Sequence, residues 1–212
     1  MQALKKILFQ NSYFFLPLLA YWVLGIIGLA YYGKSALHLW FDEHHYTAID
    51  FLFQYATHLG DGGLIILVVM VLFLLKKKDL ALTLLFAYLA STVLVQAIKF
   101  YLPDNSRPYI YFYGVDLYRV KGVALLADGS FPSGHSSGAC CLFFFLASLV
   151  KDNWIKCLFG VLAAFACLTR VYLNQHFLLD TIVGGFIGAG AMVFFEYFEL
   201  GRRFRKDKTP LQ

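Results

Sequence analysis

Six side chains in this sequence are of the types that grip and transfer a phosphoryl group, and each stands at the edge of an apolar segment: Lys99, Arg107, His135, Arg170, His176 and Asp180. Ionisable groups are costly inside a membrane-spanning stretch, so such a set calls for a functional explanation. Asp180 follows His176 by four positions, a spacing that stacks both side chains on one helical face, where a carboxylate can hold and polarise an imidazole. Pro132-Ser133-Gly134-His135 opens a predicted helix. Unsatisfied backbone amides and the positive end of the helix dipole favour an anion there, and Gly134 lets the backbone approach closely. Lys99, Arg107 and Arg170 add three positive charges, and arginine in particular forms paired bonds with phosphoryl oxygens. The inventory suits a phosphate rather than a neutral substrate.

The elements that must position these groups are membrane helices. Of 212 residues, 60% are apolar and 15% charged, and the mean hydropathy is +0.66, which excludes a soluble domain of this size. Six apolar segments can be marked, at about 13–32, 59–75, 80–102, 133–150, 154–174 and 177–198. They predict an all-α fold, a single membrane-embedded domain over residues 1–212 built as an integral-membrane bundle of six transmembrane helices. The basic amino-terminal stretch through Lys6 is read as the flank of the first span rather than as a cleaved signal. One side of the alternation collects Lys5, Lys6, Lys76, Lys77, Lys78, Lys151, Lys156, Arg202, Arg203, Arg205, Lys206 and Lys208, leaving the other only six of the 18 basic residues. The basic side is therefore expected to be cytoplasmic, with both termini on it, while residues 33–58, 103–132 and the turn at Asn174 and Gln175 face outward. The net charge of +5 is thus read as topological, with the bilayer as partner and no nucleic acid.

This alternation gathers the chemistry at one end. Lys99 closes the third span, Arg107 lies in the following outer loop, and that loop leads without a crossing to Ser133 and His135. Two further crossings return the chain to Arg170, His176 and Asp180 on the same side. The outer stretch from Trp40 to Leu59, which mixes Asp42, Glu43, His44, His45 and Asp50 with aromatic residues, reads as an interfacial helix over the site, and its acid and histidine neighbours as a wetted face rather than a metal centre. No metal and no cofactor is expected. Cys140, Cys141, Cys157 and Cys167 lack metal-ligand pairing and read as small buried hydrophobes, and Tyr31, Tyr32, Trp40, Tyr101, Tyr109, Tyr111 and Tyr113 as an aromatic belt.

The residues resemble the type 2 phosphatidic acid phosphatase superfamily, whose signature is a Lys followed by Arg-Pro, then Pro-Ser-Gly-His, then Ser-Arg, five residues, His, three residues and Asp. Here Arg107-Pro108 and Pro132-Ser133-Gly134-His135 stand unchanged, and Thr169-Arg170 precedes His176 and Asp180 at the family spacing. Thr169 replaces the usual Ser, and seven residues rather than six separate Lys99 from Arg107, an excess that a bulge at Pro103-Asp104 absorbs. The resemblance implies a six-helix bundle that removes phosphate from a membrane lipid. In it His176 attacks phosphorus, Asp180 orients His176, His135 protonates the departing oxygen and later helps activate water, and Lys99, Arg107, Ser133, Gly134 and Arg170 bind the phosphoryl oxygens. Resemblance to bacterial members makes undecaprenyl diphosphate, phosphatidylglycerol phosphate, phosphatidic acid and a lipid A phosphate the candidate substrates. It also implies the bacterial cytoplasmic (inner) membrane, with the site facing the periplasm or exterior. A transporter or flippase of a phosphorylated lipid is the competing reading, set back by the lack of an inverted repeat and by a site at one surface instead of the midplane.

Overall fold

A computed structural model of the chain describes residues 2–102 and 105–206, with the side chains of the last helix described through Phe198. The described residues are all-helical apart from loops and one isolated bridge between Ser106 and Asp128. In chain order the helices are α1 (Gln2–Gln10), α2 (Ser12–Glu43), α3 (Thr47–Ala56), a 3-10 turn (Thr57–Gly60), α4 (Gly62–Leu74), α5 (Lys78–Tyr101), the short α6 (Pro108–Tyr111), α7 (Gly134–Leu149), α8 (Asn153–Tyr172) and α9 (Leu178–Lys206). Each expected apolar segment becomes a helix, but their lengths differ. By length and composition α2, α5, α8 and the Leu178–Phe198 part of α9 can each cross a membrane. A fifth crossing results if α3, the turn and α4, bent by 51° at their junction, count as one span. This is an integral membrane protein. The remaining expected segment, 133–150, is α7, only 16 residues long.

The shortness of α7 follows from its place. Every residue from Ser136 to Phe145 is buried, so this helix is walled by other helices on all sides, and a helix apolar all round belongs in a core. Its closest neighbour is α9, where Gly184 and Gly188 face it. A Cβ on either would run into the Ser133 or Ser137 carbonyl, so only glycine lets these two backbones approach as they do. Gly33, at φ 76° and ψ 166°, breaks the helical backbone within α2 at the expected end of the first span, and a second helical stretch continues to Glu43. Lys156, expected among the orienting cations, is buried. Its ammonium donates to the Gln10 carbonyl and the Asn11 side chain, tying α8 to the α1–α2 junction. Cys140, Cys141 and Cys167 are buried as free thiols, and Cys157 is half-buried.

The outer segment is anchored by hydrogen bonds. The Asp50 carboxylate on α3 accepts from the hydroxyls of Tyr172 at 2.6 Å and Tyr118 at 2.8 Å and pairs with His45 at 3.1 Å. Asp42 accepts from the Tyr118 backbone N–H and the Asn174 amide, whereas His44 turns to the Trp40 carbonyl. Asp50 thus binds His45 and two tyrosines while Asp42 holds Tyr118 and Asn174, which gives this stretch the role of a strap across the α8–α9 turn. Of the residues assigned to the basic side, the side chains of Arg202, Arg203, Arg205 and Lys206, and the whole of Lys208, lie outside the described residues, as does the Pro103-Asp104 bulge.

Candidate active site

The α8–α9 turn carries His176 at the centre of the cluster. It is 1% exposed, and the fold defines both faces of its ring. Arg107 Nη1 stands 3.3 Å from Nε2, and because a guanidinium only donates, Nε2 must be the bare nitrogen with its lone pair outward. The proton then sits on Nδ1, 3.6 Å from Asp180 Oδ2, too long for a hydrogen bond, and Nδ1 has no other partner. The Asp180 carboxylate is itself fixed, accepting from the Ser130 hydroxyl at 2.5 Å and from the Phe177 N–H at 3.0 Å. Burial pushes the His176 imidazole down to about 3, with Asp180 opposing and Arg107 and Arg170 reinforcing the shift. At neutral pH the ring is an uncharged base.

The basic residues reach this point from three elements. Arg107 caps α6 in the outer loop, where Nε donates to the Asp128 carbonyl at 2.8 Å and Nη1 to the Gln175 carbonyl at 2.9 Å. Burial lowers its guanidinium from the usual range, against the pull of Asp180 and Asp128. Lys99, at the end of α5, donates to the Gly129 carbonyl at 2.7 Å, and the same carbonyl lies 3.4 Å from Arg107 Nη2. The extra residue before Arg107 therefore does not part the two cations. Arg170 at the end of α8 is buried, with Nη1 on the Thr57 hydroxyl at 2.6 Å and Nε without a partner. A buried donor left unpaired in this way is a position that an anion would satisfy.

The start of α7 is bound to the start of α9 by the Ser133 N–H, which donates to the Asp180 carbonyl at 2.9 Å. Ser133, expected as a phosphate ligand, is fully buried and serves as the helix N-cap. Its oxygen accepts from the Ser136 N–H at 3.3 Å and from the Ser136 hydroxyl at 3.0 Å, leaving only its own proton to donate. Gly134 lies beside α5, an ideal Cβ there falling 3.9 Å from Val95. His135 projects toward the turn before α4, where Nε2 meets Asp61 Oδ1 at 2.6 Å. Both Arg107 and Arg170 bear electrostatically on His135 and on His176. The eight expected residues thus occupy one end of the bundle.

The sequence profile described as the PAP2 superfamily matches residues 80–203, more than half of the chain. The chain belongs to the PAP2 superfamily. Among curated PAP2 relatives, phosphatidylglycerophosphatase B of Bacillus subtilis is 37% identical over 89 residues, 36% of this chain and 43% of that protein. The lipid A 4'-phosphatase of Bacteroides thetaiotaomicron is 36% identical over 84 residues, 38% of this chain and 36% of that protein. The chain therefore spans less than half the length of the curated relatives it matches. Among solved structures, Aquifex aeolicus LpxE superposes with a TM-score of 0.66 at 26% identity, over 76% of this chain and 93% of that one. The transmembrane PAP2-type phosphatidylglycerolphosphate phosphatase of Bacillus subtilis superposes with a TM-score of 0.64 at 22% identity, over 96% and 100%, a likeness of fold.

Several residues of the candidate site were not evident from sequence. Ser130 and Asn105 hold the loop before α7, Asn105 Nδ2 donating to the Phe131 carbonyl at 2.5 Å. Thr57 and Asp61 come from the break between α3 and α4, a stretch whose Gly60-Asp61-Gly62-Gly63 reads as a plain turn. Beside Asp180 a cavity of about 370 Å³ is lined by Lys34, Leu102, Asn105, Ser130, Phe131 and Phe177 among others, but by neither site histidine.

Proposed function

We propose that this protein is a lipid phosphatase that hydrolyses a phosphate monoester or diphosphate on a membrane lipid through a phosphohistidine on His176. The observation that carries the reading is the tautomer of His176. Arg107 donates to Nε2, which marks it as the unprotonated nitrogen, and Nδ1–H faces Asp180 at 3.6 Å; a bound phosphate that takes up the Arg107 guanidinium leaves the Nε2 lone pair free to attack. Nε2 bonds to phosphorus as the phosphorus–oxygen bond to the lipid breaks, and His135 gives its proton to the departing oxygen. In the second half His135 takes a proton from water as the water oxygen bonds to phosphorus and the phosphorus–nitrogen bond breaks. Lys99, Arg107 and Arg170, with the Ser133 hydroxyl proton and the Gly134 amide, stabilise the phosphoryl oxygens as charge shifts in the transfer.

Support for a lipid substrate comes from the two curated relatives, one named for a glycerophospholipid phosphate and the other for lipid A. A site at the end of the bundle suits a substrate whose tails stay in the bilayer. Phosphatidylglycerol phosphate, a lipid A phosphate, phosphatidic acid and undecaprenyl diphosphate are the substrates to compare. The basic residues at the opposite end support a reading with the termini in the cytoplasm and the site on the outer face of a bacterial inner membrane.

The test is phosphate release by detergent-purified protein from these four lipids, with EDTA present, for wild type and His176→Ala. Release by the wild type and its loss in the variant is the expected result. A folded wild type that releases phosphate from none of them overturns the reading and turns attention to lipid binding and transport.

A further inference from the structure

The Asp61 carboxylate lies between two imidazoles. Oδ1 is 2.6 Å from His135 Nε2 and Oδ2 is 2.5 Å from His58 Nδ1. Asp61 occupies the N-cap position of α4, where an aspartate ordinarily bonds the first turn of its own helix, yet its side chain makes no cap hydrogen bond. Both oxygens are turned to histidines instead. The backbone fixes this arrangement. The 3-10 turn presses so closely on the start of α7 that a Cβ on Gly60 would fall 2.6 Å from the His135 carbonyl oxygen, and one on Gly138 would fall 3.0 Å from the Gly60 carbonyl oxygen. The same turn supplies Thr57, which holds Arg170 at 2.6 Å. One short break in a bent helix therefore touches two side chains of the site.

We infer that Asp61 is a positioning residue for His135, steadied by His58 on its far oxygen. This rests on the reading of His135 as the acid of the first step and the base of the second. With Nε2–H donated to Asp61, the ring plane is fixed and Nδ1 is the nitrogen that serves the substrate. Nδ1–H passes its proton to the leaving oxygen as the lipid departs, and bare Nδ1 then takes a proton from the attacking water, so His135 ends the cycle as it began. The carboxylate also favours the imidazolium that must be present when the leaving oxygen is protonated. His58 bonds the far oxygen of Asp61, whose side chain is itself 37% exposed, and so keeps the carboxylate from rotating away from His135.

The test uses the full chain in detergent with two substrates. Phosphatidic acid releases diacylglycerol, whose alkoxide needs a proton, whereas p-nitrophenyl phosphate releases p-nitrophenolate, which does not. Asp61→Asn is expected to lower kcat on phosphatidic acid by up to about 100-fold, the scale of a misplaced reacting group. KM should stay within about 2-fold and the first-turnover release of p-nitrophenolate should keep nearly the wild-type rate, since that leaving group needs no proton, whereas the later hydrolysis of the phospho-enzyme should slow. Asp61→Glu should recover part of the loss, and Asp61→Asn should add nothing in a His135→Gln background, since residues acting as one unit are not additive. Should Asp61→Asn fail to fold, His58→Gln carries the same test, with a smaller kcat loss on phosphatidic acid and an unchanged first-turnover release of p-nitrophenolate. Equal loss in the first turnover on both substrates, an undiminished effect without His135, or no effect in an active enzyme overturns the assignment. A folded wild type that releases phosphate from neither the aryl phosphate nor any of the four lipids removes the phosphatase reading, and the role of Asp61 with it.

Discussion

His176 is held neutral by its surroundings rather than by a base that strips it. Burial is the largest cause, and Arg107 and Arg170 add to it, so the folded ring protonates only near pH 3, whereas the unfolded one does so near about 6.5. Between those values the unfolded chain binds a proton that the native state refuses. Stability linked to His176 is therefore full above about pH 6.5 and is lost as pH falls toward 3. The drop in Tm between pH 6.5 and 4 should accordingly be smaller in His176→Asn than in the wild type, as read by thermal unfolding in detergent, and equal drops would mean that His176 titrates normally. At this scale the sequence was informative where chemistry and spacing coincide, as for His176 with Asp180 and for Arg107 beside Pro108. It was silent on Asp61 and Thr57, because their partners His135 and Arg170 are distant in sequence and meet them only through the packing of the turn on α7. Ser133 shows the opposite case. Its motif marks the anion cradle, yet its oxygen is engaged as the cap that starts α7, a role that any serine before a helix can take.

Among the elements, the contact of α7 with α9 sets the geometry of the site, since it carries the hydrogen bond from Ser133 to the Asp180 carbonyl and so fixes the start of one helix against the start of the other. Glycines at 184 and 188 allow it. Gly188→Val pushes a branched side chain into the Ser137 backbone, and overpacking of this kind costs roughly 1–3 kcal/mol. Its Tm should fall and its phosphatase rate should fall with it, because the helices can part only by moving Ser133 from Asp180. A Gly190→Ala control faces open space and should leave both unchanged. Unaltered Tm and rate in Gly188→Val would show that the helices pack without this contact. The pattern of apolar runs located these helices well but could not grade them. A core helix and a lipid-facing helix have the same composition, so the pattern did not reveal that α7 would be only 16 residues long and walled by neighbours. The break at Gly60-Asp61 likewise hid the bend that joins α3 and α4 into one candidate span.

For the whole molecule the open quantity is which end faces the cytoplasm. The two ends differ in character. One carries the site and the hydrogen-bonded outer strap, and the other carries Lys76, Lys77, Lys78 and Lys151, all exposed to solvent. A cluster of lysines beside membrane spans resists translocation, whereas a site that must bind anions concentrates its cations in buried pairs and carbonyl contacts, which do not weigh on orientation in the same way. Lys156 is a partial exception on the basic end, since it is buried against α1 and α2. The orientation proposed here follows from the exposed lysines alone and survives the removal of Lys156 from the count. It predicts that Tyr113→Cys, at an exposed position in the loop after α6, reacts with an impermeant thiol reagent on intact cells, while Lys151→Cys reacts only after the membrane is opened. Cys157→Ser removes the half-buried native thiol from the background, the other three being buried. The reverse labelling would place the site in the cytoplasm and restrict its substrates to lipid phosphates of the inner leaflet, while leaving the chemistry of His176 untouched.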